Sequence, residues 1–266
     1  MQKILEIFKF RNVETFSQLP RTSNFTYNYL IGVAMLYMAL SNLSGLTVYK
    51  ILILGPFLLP AGIFTTPITY CLSNVTTEVY GYPVARNLMW WFIFSSTIFT
   101  GLAFILVHLP SPPDFNNQSA YELILGSMPI IYVAGIVGTI IGMNISNYLV
   151  SKFKIAMDGK HYWLRSIIST CGGEIAYNLV AYPIMLLGKI PLHDLIHIFI
   201  SVTIFKMLTT AVFLAPECFL TRYLKIKEKI NVFDHGVNYG LFKFKIHDEF
   251  QKPKLTIVTS LTQSHE

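Results

Sequence analysis

Charge is scarce in this sequence. Asp, Glu, Lys and Arg together make up 13% of its 266 residues, where a soluble domain carries about 25%, and they gather in a few short segments. That argues against a water-soluble domain. Cysteine is scarcer still. Cys71, Cys171 and Cys218 fall in or beside apolar runs with no paired spacing, which excludes a disulfide framework and a zinc site and leaves them as small core residues. No glycine-rich phosphate-binding loop is present, so the chain carries no ATPase of its own, and nothing in it calls for a cofactor. The first 25 residues hold Lys3, Glu6, Lys9, Arg11, Glu14 and Arg21 but no short apolar core with a small-residue cleavage site, so a cleavable signal peptide is not expected there. The net charge of +6 is not a nucleic-acid signal. The basic residues flank apolar runs instead of interleaving with aromatics on one face, and membrane orientation explains them better.

What the chain has in quantity is apolar length. Hydrophobic residues make up 53% of it, and six segments reach the ~20 residues a helix needs to cross a hydrocarbon core. They lie near 27–48, 51–72, 88–108, 128–150, 166–187 and 192–220. The expected fold is an all-α membrane protein, a polytopic bundle of six transmembrane helices over 27–220, with a cytoplasmic N-terminal segment at 1–26 and a cytoplasmic C-terminal tail at 221–266. Only Tyr49-Lys50 separates the first two spans, which makes them antiparallel neighbours. Span two holds Pro56, Pro60, Gly62 and Pro67. It reads as a kinked proline-rich helix whose freed backbone is tolerable only against protein or a polar cavity. Gly135, Gly138 and Gly142 suit close helix contact.

Lys and Arg outside the spans cluster in residues 1–21, at Arg86, in 151–165 and after residue 220, whereas the opposite loops hold only Lys50 and Lys189. Both termini are therefore expected in the cytoplasm. Trp90, Trp91 and Trp163 fall at the cytoplasmic ends of their spans, where indole favours the interface.

Glu174 is a carboxylate inside an apolar run, Arg165-Ser-Ile-Ile-Ser-Thr-Cys-Gly-Gly-Glu-Ile-Ala-Tyr-Asn178. A charge at mid-bilayer costs roughly 2.5–3.5 kcal/mol, so it is expected to face a polar interior. Two roles fit it: a ligand contact, or a structural pair with Lys206. Asn178, four residues on, shares its helical face. Lys206 fits an ion pair or a substrate contact equally. Asn74 and Glu78, near the cytoplasmic end of span two, fit a site or a helix cap. Arg165 fits an interface anchor or the site. His193 and His197 share a helix face but lack the glutamate of H-E-x-x-H and a third ligand, so an extracellular interfacial turn is the better reading than a metal site.

Several segments taken in order resemble a known family. Ser73-Asn-Val-Thr-Thr-Glu-Val-Tyr-Gly-Tyr-Pro-Val-Ala-Arg86 is similar to a T-D-x-x-x-E-V-Y-G-x-x-x-A-R segment that follows a proline-rich second helix. Pro60-Ala-Gly62, Pro67-Ile-Thr69, Asn42, Lys50, Arg165 with Ser169-Thr170 and Gly173-Glu174, Lys206, and Asn231-Val-Phe-Asp234-His-Gly-Val-Asn238-Tyr-Gly-Leu-Phe242 fit the same pattern. The chain resembles the queuosine precursor transporters, also called the vitamin-uptake-like or VUT family, over about residues 29–242. It departs from the pattern at Asn74, Met143, Tyr177-Asn178 and Thr210, each swap removing a charge or an amide.

The resemblance implies a multi-pass protein of the cell inner membrane, not an enzyme, that imports 7-cyano-7-deazaguanine or a related 7-deazaguanine such as queuine for tRNA queuosine salvage. The substrate-binding residues it suggests are Glu174, Asn178, Asn74, Glu78 and Lys206, with Phe64 and Tyr70 able to stack on the base. A carboxylate suits the adjacent N–H and NH₂ donors of such a base. The implied partners are the deazaguanine and the lipid bilayer, with a homodimer or an energising ATPase module also compatible and no nucleic acid expected. Alternative classes are a substrate-capture subunit of an energy-coupling-factor-type vitamin importer and an intramembrane enzyme or scaffold.

Overall fold

The computed structural model describes residues 14–16, 23–55, 57–186 and 191–242. In chain order these form β1 (Glu14–Phe16), α1 (Asn24–Leu46), β2 (Ile51–Leu54), β3 (Phe57–Pro60), a 3-10 turn (Ala61–Thr65), α2 (Thr66–Tyr80), α3 (Tyr82–Val107), a short α4 (Gln118–Tyr121) with a π turn after it, α5 (Met128–Ala156), α6 (Tyr162–Leu186), α7 (Leu192–Glu228) and β4 (Ile230–Val232). Four stretches are long and apolar enough to cross a membrane: α1, α3, the run Gln118–Ala156 and α7. This is a multi-pass membrane protein.

Local signals set the helix ends. Ser23 caps α1 through the Thr26 N–H, and prolines stand in the first turns of α2, α3 and α5, where their missing N–H costs nothing. Gly81 separates α2 from α3 at φ +90, a left-handed conformation that glycine adopts without strain.

Span two departs from expectation. In place of a kinked helix over 51–72, β2 and β3 pair antiparallel with Ile51 opposite Pro60 and Leu54 opposite Phe57. The 3-10 turn follows, and helix begins only at Thr66. Pro60 and Pro67 bracket the change, and the tight turn suits residues that cannot continue a helix. Pro56, expected at the kink, lies outside the described residues. Segment 73–80, read as loop from sequence, is the buried second half of α2.

The strands fix the topology. β1, before α1, pairs in parallel with β4, after α7. Thr26 of α1 and Tyr80 of α2 both bond Glu228 of α7. The two described chain ends therefore lie at one end of the bundle, the tail end. The β2–β3 hairpin lies at the other, and the path between them through α1, α2, α3, α5, α6 and α7 traverses the bundle six times.

The bundle is inverted relative to a soluble protein. Ile196, Ile200, Ile204, Leu208 and Val212 form an i, i+4 stripe on α7, each at least 44% exposed, while Asn74, Glu78, Lys154, Arg165, Glu174, Asn178, Lys206 and Glu217 are buried. Lipid offers no hydrogen bonds, so polar groups turn inward and meet one another. α5 and α6 approach most closely at Gly142 and Gly173, where a Cβ on either would come within 2.6 Å of the other's carbonyl oxygen.

Candidate functional site: a polar ladder and a cavity at mid-bundle

α6 carries Tyr162, Ser166, Thr170, Glu174, Asn178 and Tyr182 at successive i+4 positions. Four residues make about one turn, so these side chains line one face over about 30 Å, the thickness of a hydrocarbon core. Side chains from α2 and α7 bond to it.

At the middle of α6, Lys206 of α7 donates to Glu174 at 2.7 Å and to the Asn178 amide oxygen at 3.0 Å. The Asn178 amide donates in turn to Thr203 at 2.9 Å, and the Lys206 ammonium lies 4.7 Å from the Tyr177 ring centroid. Glu174 is thus met by a cation in the absence of ligand. Lys206 also lines a cavity of about 140 Å³ with Asn42, Tyr132, Thr139, Tyr177 and Tyr182. Glu174 and Asn178 stand behind it, outside the cavity wall. The cation therefore faces the cavity, and the carboxylate holds it there.

Two further cavities share walls with this one. Toward the hairpin end lies an apolar cavity of about 180 Å³ bounded by Tyr49, Ile51, Pro60 and Ile198. Deeper in lies a smaller one of about 80 Å³ between Tyr37, Thr69, Tyr70, Met143 and Tyr177. The hairpin and 3-10 turn supply Ile51, Pro60, Gly62 and Ile63 to these walls, which is where irregular backbone at membrane depth is tolerated.

Toward the tail end the interior is closed by charge. Glu78 of α2 receives a bidentate pair from Arg165 at 2.8 and 3.1 Å, an ammonium from Lys225 at 2.6 Å and a second ammonium from Lys154 at 3.8 Å. Lys154 also donates to the Glu78 and Val232 carbonyls at 2.5 and 2.6 Å. Residues 230–242 lie across this hub as a strap. Asp234 accepts from the Tyr82 N–H at 3.0 Å and from Ser151 at 2.5 Å, and burial raises its carboxyl pKa above the ordinary value. Arg86 donates to the Asn238 and Gly240 carbonyls, and Trp90 to that of Leu241.

The residues singled out from sequence fall into separate places. Glu174, Asn178 and Lys206 come together. Tyr70 lines the deeper cavity with its hydroxyl buried and unbonded among the described residues. Asn74 lies one level nearer the tail end, donating to Thr170 at 2.7 Å and Ser166 at 3.2 Å and accepting from Ser146. Glu78 belongs to the hub. Phe64 is 45% exposed, packs edge-on against Phe205 and lines none of these cavities. Arg165 is fully buried rather than an interface anchor. His193 and His197 face each other at 3.1 Å on the exposed first turn of α7, and no group of three metal-ligating side chains occurs among the described residues.

Sequence reasoning passed over Tyr132, Thr139, Glu217 and the buried state of Lys154 and Lys225. Glu217 carried the same signal as Glu174, an acid inside an apolar run.

A family model described as "Putative vitamin uptake transporter" matches residues 60–220. The chain belongs to this family. Its matched region runs from the 3-10 turn through most of α7 and contains Glu78, Arg165, Glu174, Lys206 and Glu217, whereas Lys225 and the strap lie beyond it. The chain is 28% identical over 139 residues to the "Probable queuosine precursor transporter" of Bacillus subtilis (strain 168). That alignment covers 50% of this chain and 59% of the relative, so the chain spans less than two thirds of that protein's length. No solved structure matches. Membership of a vitamin uptake transporter family accords with cavities at mid-bundle and charge closing one end.

Proposed function

We propose that this protein imports a 7-deazaguanine, such as 7-cyano-7-deazaguanine or queuine, across the cell inner membrane for salvage into tRNA queuosine, with both termini in the cytoplasm. The observation that carries the reading is Lys206 on the wall of a mid-bundle cavity, held from behind by Glu174 and Asn178. The name of the Bacillus relative supports the substrate class, and the Lys/Arg-rich tail end supports the orientation.

A deazaguanine is flat, with a carbonyl acceptor on one side, joined by a nitrile in the 7-cyano form, and adjacent N–H and NH₂ donors on another. Lys206 donates to the carbonyl. As the ligand draws the ammonium forward, Glu174 is released to accept the paired donors, and charge-assisted bonds of this kind are roughly twice as strong as neutral ones. Tyr177, shared by the central and deeper cavities, offers a face on which the base stacks, and Tyr70 offers a second. Tyr177 and Met143 both line these walls, and both depart from the pattern of the queuosine precursor transporters. That favours discrimination among deazaguanines by this chain.

The test is queuosine restoration in the tRNA of bacteria unable to make deazaguanines, supplied with each base at low concentration. Glu174→Gln replaces an acceptor oxygen with a donor that opposes a ligand donor. It should weaken uptake by about 2–3 kcal/mol, roughly 30- to 150-fold, while the protein stays in the membrane. Normal uptake by that variant removes Glu174 from the site, and no uptake of any deazaguanine by well-inserted parent protein overturns the substrate reading.

A further inference from the structure

Among the described residues three glutamates are buried in the bundle: Glu78, Glu174 and Glu217. Glu78 is met by Arg165, Lys225 and Lys154, and Glu174 by Lys206. Glu217, 2% exposed, differs. Among the described residues no ammonium or guanidinium nitrogen lies within ion-pair distance of it. Its partners are neutral donors: the Ser166 hydroxyl at 2.5 Å and the Tyr162 hydroxyl at 2.6 Å. An ionised carboxylate without a countercharge in such a place keeps its full desolvation penalty, and protonation removes it.

The surroundings do not supply the missing charge. α7 packs against α2 and α6 here. α2 presents Cys71 and Glu78, α6 presents Tyr162, and α7 itself presents Cys218. The thiols and the phenol are neutral groups, and the Glu78 carboxylate opposes a second negative charge while occupying the nearby cations. Pro216, the preceding residue, has no N–H to offer the carbonyl one turn back, which loosens the helix at this point.

Glu217 also sits at a meaningful level. It bonds the two rungs of the α6 ladder nearest the tail end, Tyr162 and Ser166, which flank Arg165 of the Glu78 hub. Asn74 joins Ser166 to Thr170, and the next rung is Glu174, paired with the cavity-facing Lys206. Beside Gly173, between Thr170 and Glu174, stands the Tyr70 side chain, whose hydroxyl is buried without a protein partner among the described residues, as is that of Ser169 next to Thr170. Hydroxyl and amide groups thus stand between the cavity and Glu217, and the charged hub packs beside Glu217 at the tail end of the bundle.

We propose that Glu217 is the protonation site that couples solute uptake to a proton gradient. The proposal rests on the transport reading above and adds its driving ion. With the hub closed, Glu217 takes a proton through the polar ladder from the cavity side. When the hub parts to release the solute, water reaches Glu217, the carboxyl ionises, and the proton leaves on the tail side. One proton therefore accompanies each solute, because the empty protein returns with Glu217 ionised, held by the Tyr162 and Ser166 hydroxyls, and takes its next proton from the cavity side.

The test uses the full chain in proteoliposomes loaded with a fluorescent pH indicator, with 7-cyano-7-deazaguanine and queuine as the solutes. For the parent, solute added outside should acidify the lumen, and an inward proton gradient should raise accumulation at least tenfold over no gradient. Glu217→Gln should keep solute exchange at equal concentrations on both sides but lose lumenal acidification and gradient-driven accumulation. Glu217→Asp should retain both with a shifted pH profile. An infrared titration of the parent in bilayers supplies a readout independent of transport: a carboxylic-acid C=O band that disappears in Glu217→Gln. Exchange by the parent without proton movement overturns the coupling and leaves the transport reading standing, as does gradient-driven accumulation by Glu217→Gln equal to the parent's. Absence of exchange of either solute by the parent overturns both.

Discussion

Glu78 is the side chain on which most of the tail end converges. Arg165, Lys225 and Lys154 come from three different helices to meet it, so its removal strands three buried cations. Breaking a buried pair from one side costs about 3–5 kcal/mol, because the remaining charge keeps its desolvation penalty. Glu78→Gln is expected to lower the thermal midpoint in detergent strongly. Lys225→Met is expected to lower it much less, since Glu78 keeps the bidentate Arg165. The same logic governs the site. Glu174→Gln and Lys206→Met each leave one charge buried alone, whereas the double variant leaves none. In a thermal-stability cycle the double variant should therefore be more stable than the sum of the single losses predicts. Simple additivity would mean that the two side chains do not pair in the folded protein.

Among the elements, the α5–α6 contact is the tightest, and it depends on glycine. A Cβ at position 142 would lie 2.6 Å from the Gly173 carbonyl oxygen and 2.7 Å from Tyr177 Cβ. Backbone cannot step aside as a flexible side chain can, so Gly142→Ala should destabilise by about 1–3 kcal/mol, read as a fall in thermal midpoint. Gly101→Ala on α3 meets nothing within 4 Å and should leave the midpoint unchanged or slightly raised. The strap is held differently, by a few polar anchors. Asp234→Ala removes the acceptor of both the Tyr82 N–H and the Ser151 hydroxyl. Faster hydrogen exchange over residues 230–242 should follow, while the helices keep their protection. Unchanged exchange there would show that the remaining bonds, from Arg86, Trp90, Lys154, Tyr82 and β1, hold the strap without it.

For the whole molecule, six traverses and the β1–β4 pairing place both described chain ends together, and the orientation proposed from the basic residues there puts that end in the cytoplasm. Single cysteines in a background lacking Cys71, Cys171 and Cys218 test this in intact cells. A cysteine in the 109–121 loop should react with an impermeant maleimide from outside, and one at Gly159 or Gly236 should react only after the membrane is opened. Outside labelling at Gly159 would reverse the orientation. It would also place the hub, and Glu217 behind it, on the outer side.

Some of this architecture is fixed by local composition. Lipid exposure demands long apolar helices, and these were readable over α1, α3, α5 and α7 because the signal is simply length without charge. Glu174 was legible for the complementary reason: an acid in such a run must face inward, whatever the fold. Span two was not legible. Apolar residues rich in proline fit a kinked helix and a hairpin alike, and the choice falls to packing, with Leu59 and Ile63 buried against Tyr182 and Val202. Arg165, Lys154 and Lys225 read as cytoplasmic flanking charges because their positions near span ends say nothing of direction. Only the helix azimuths turn them onto Glu78. The same holds for the site. The sequence determined that Glu174 and Lys206 lie inside a membrane bundle. The tertiary structure decided that they neutralise each other, that the lysine takes the cavity wall, and that Glu217 is left with hydroxyl groups for company, because the pairing of charges depends on which faces of distant helices meet.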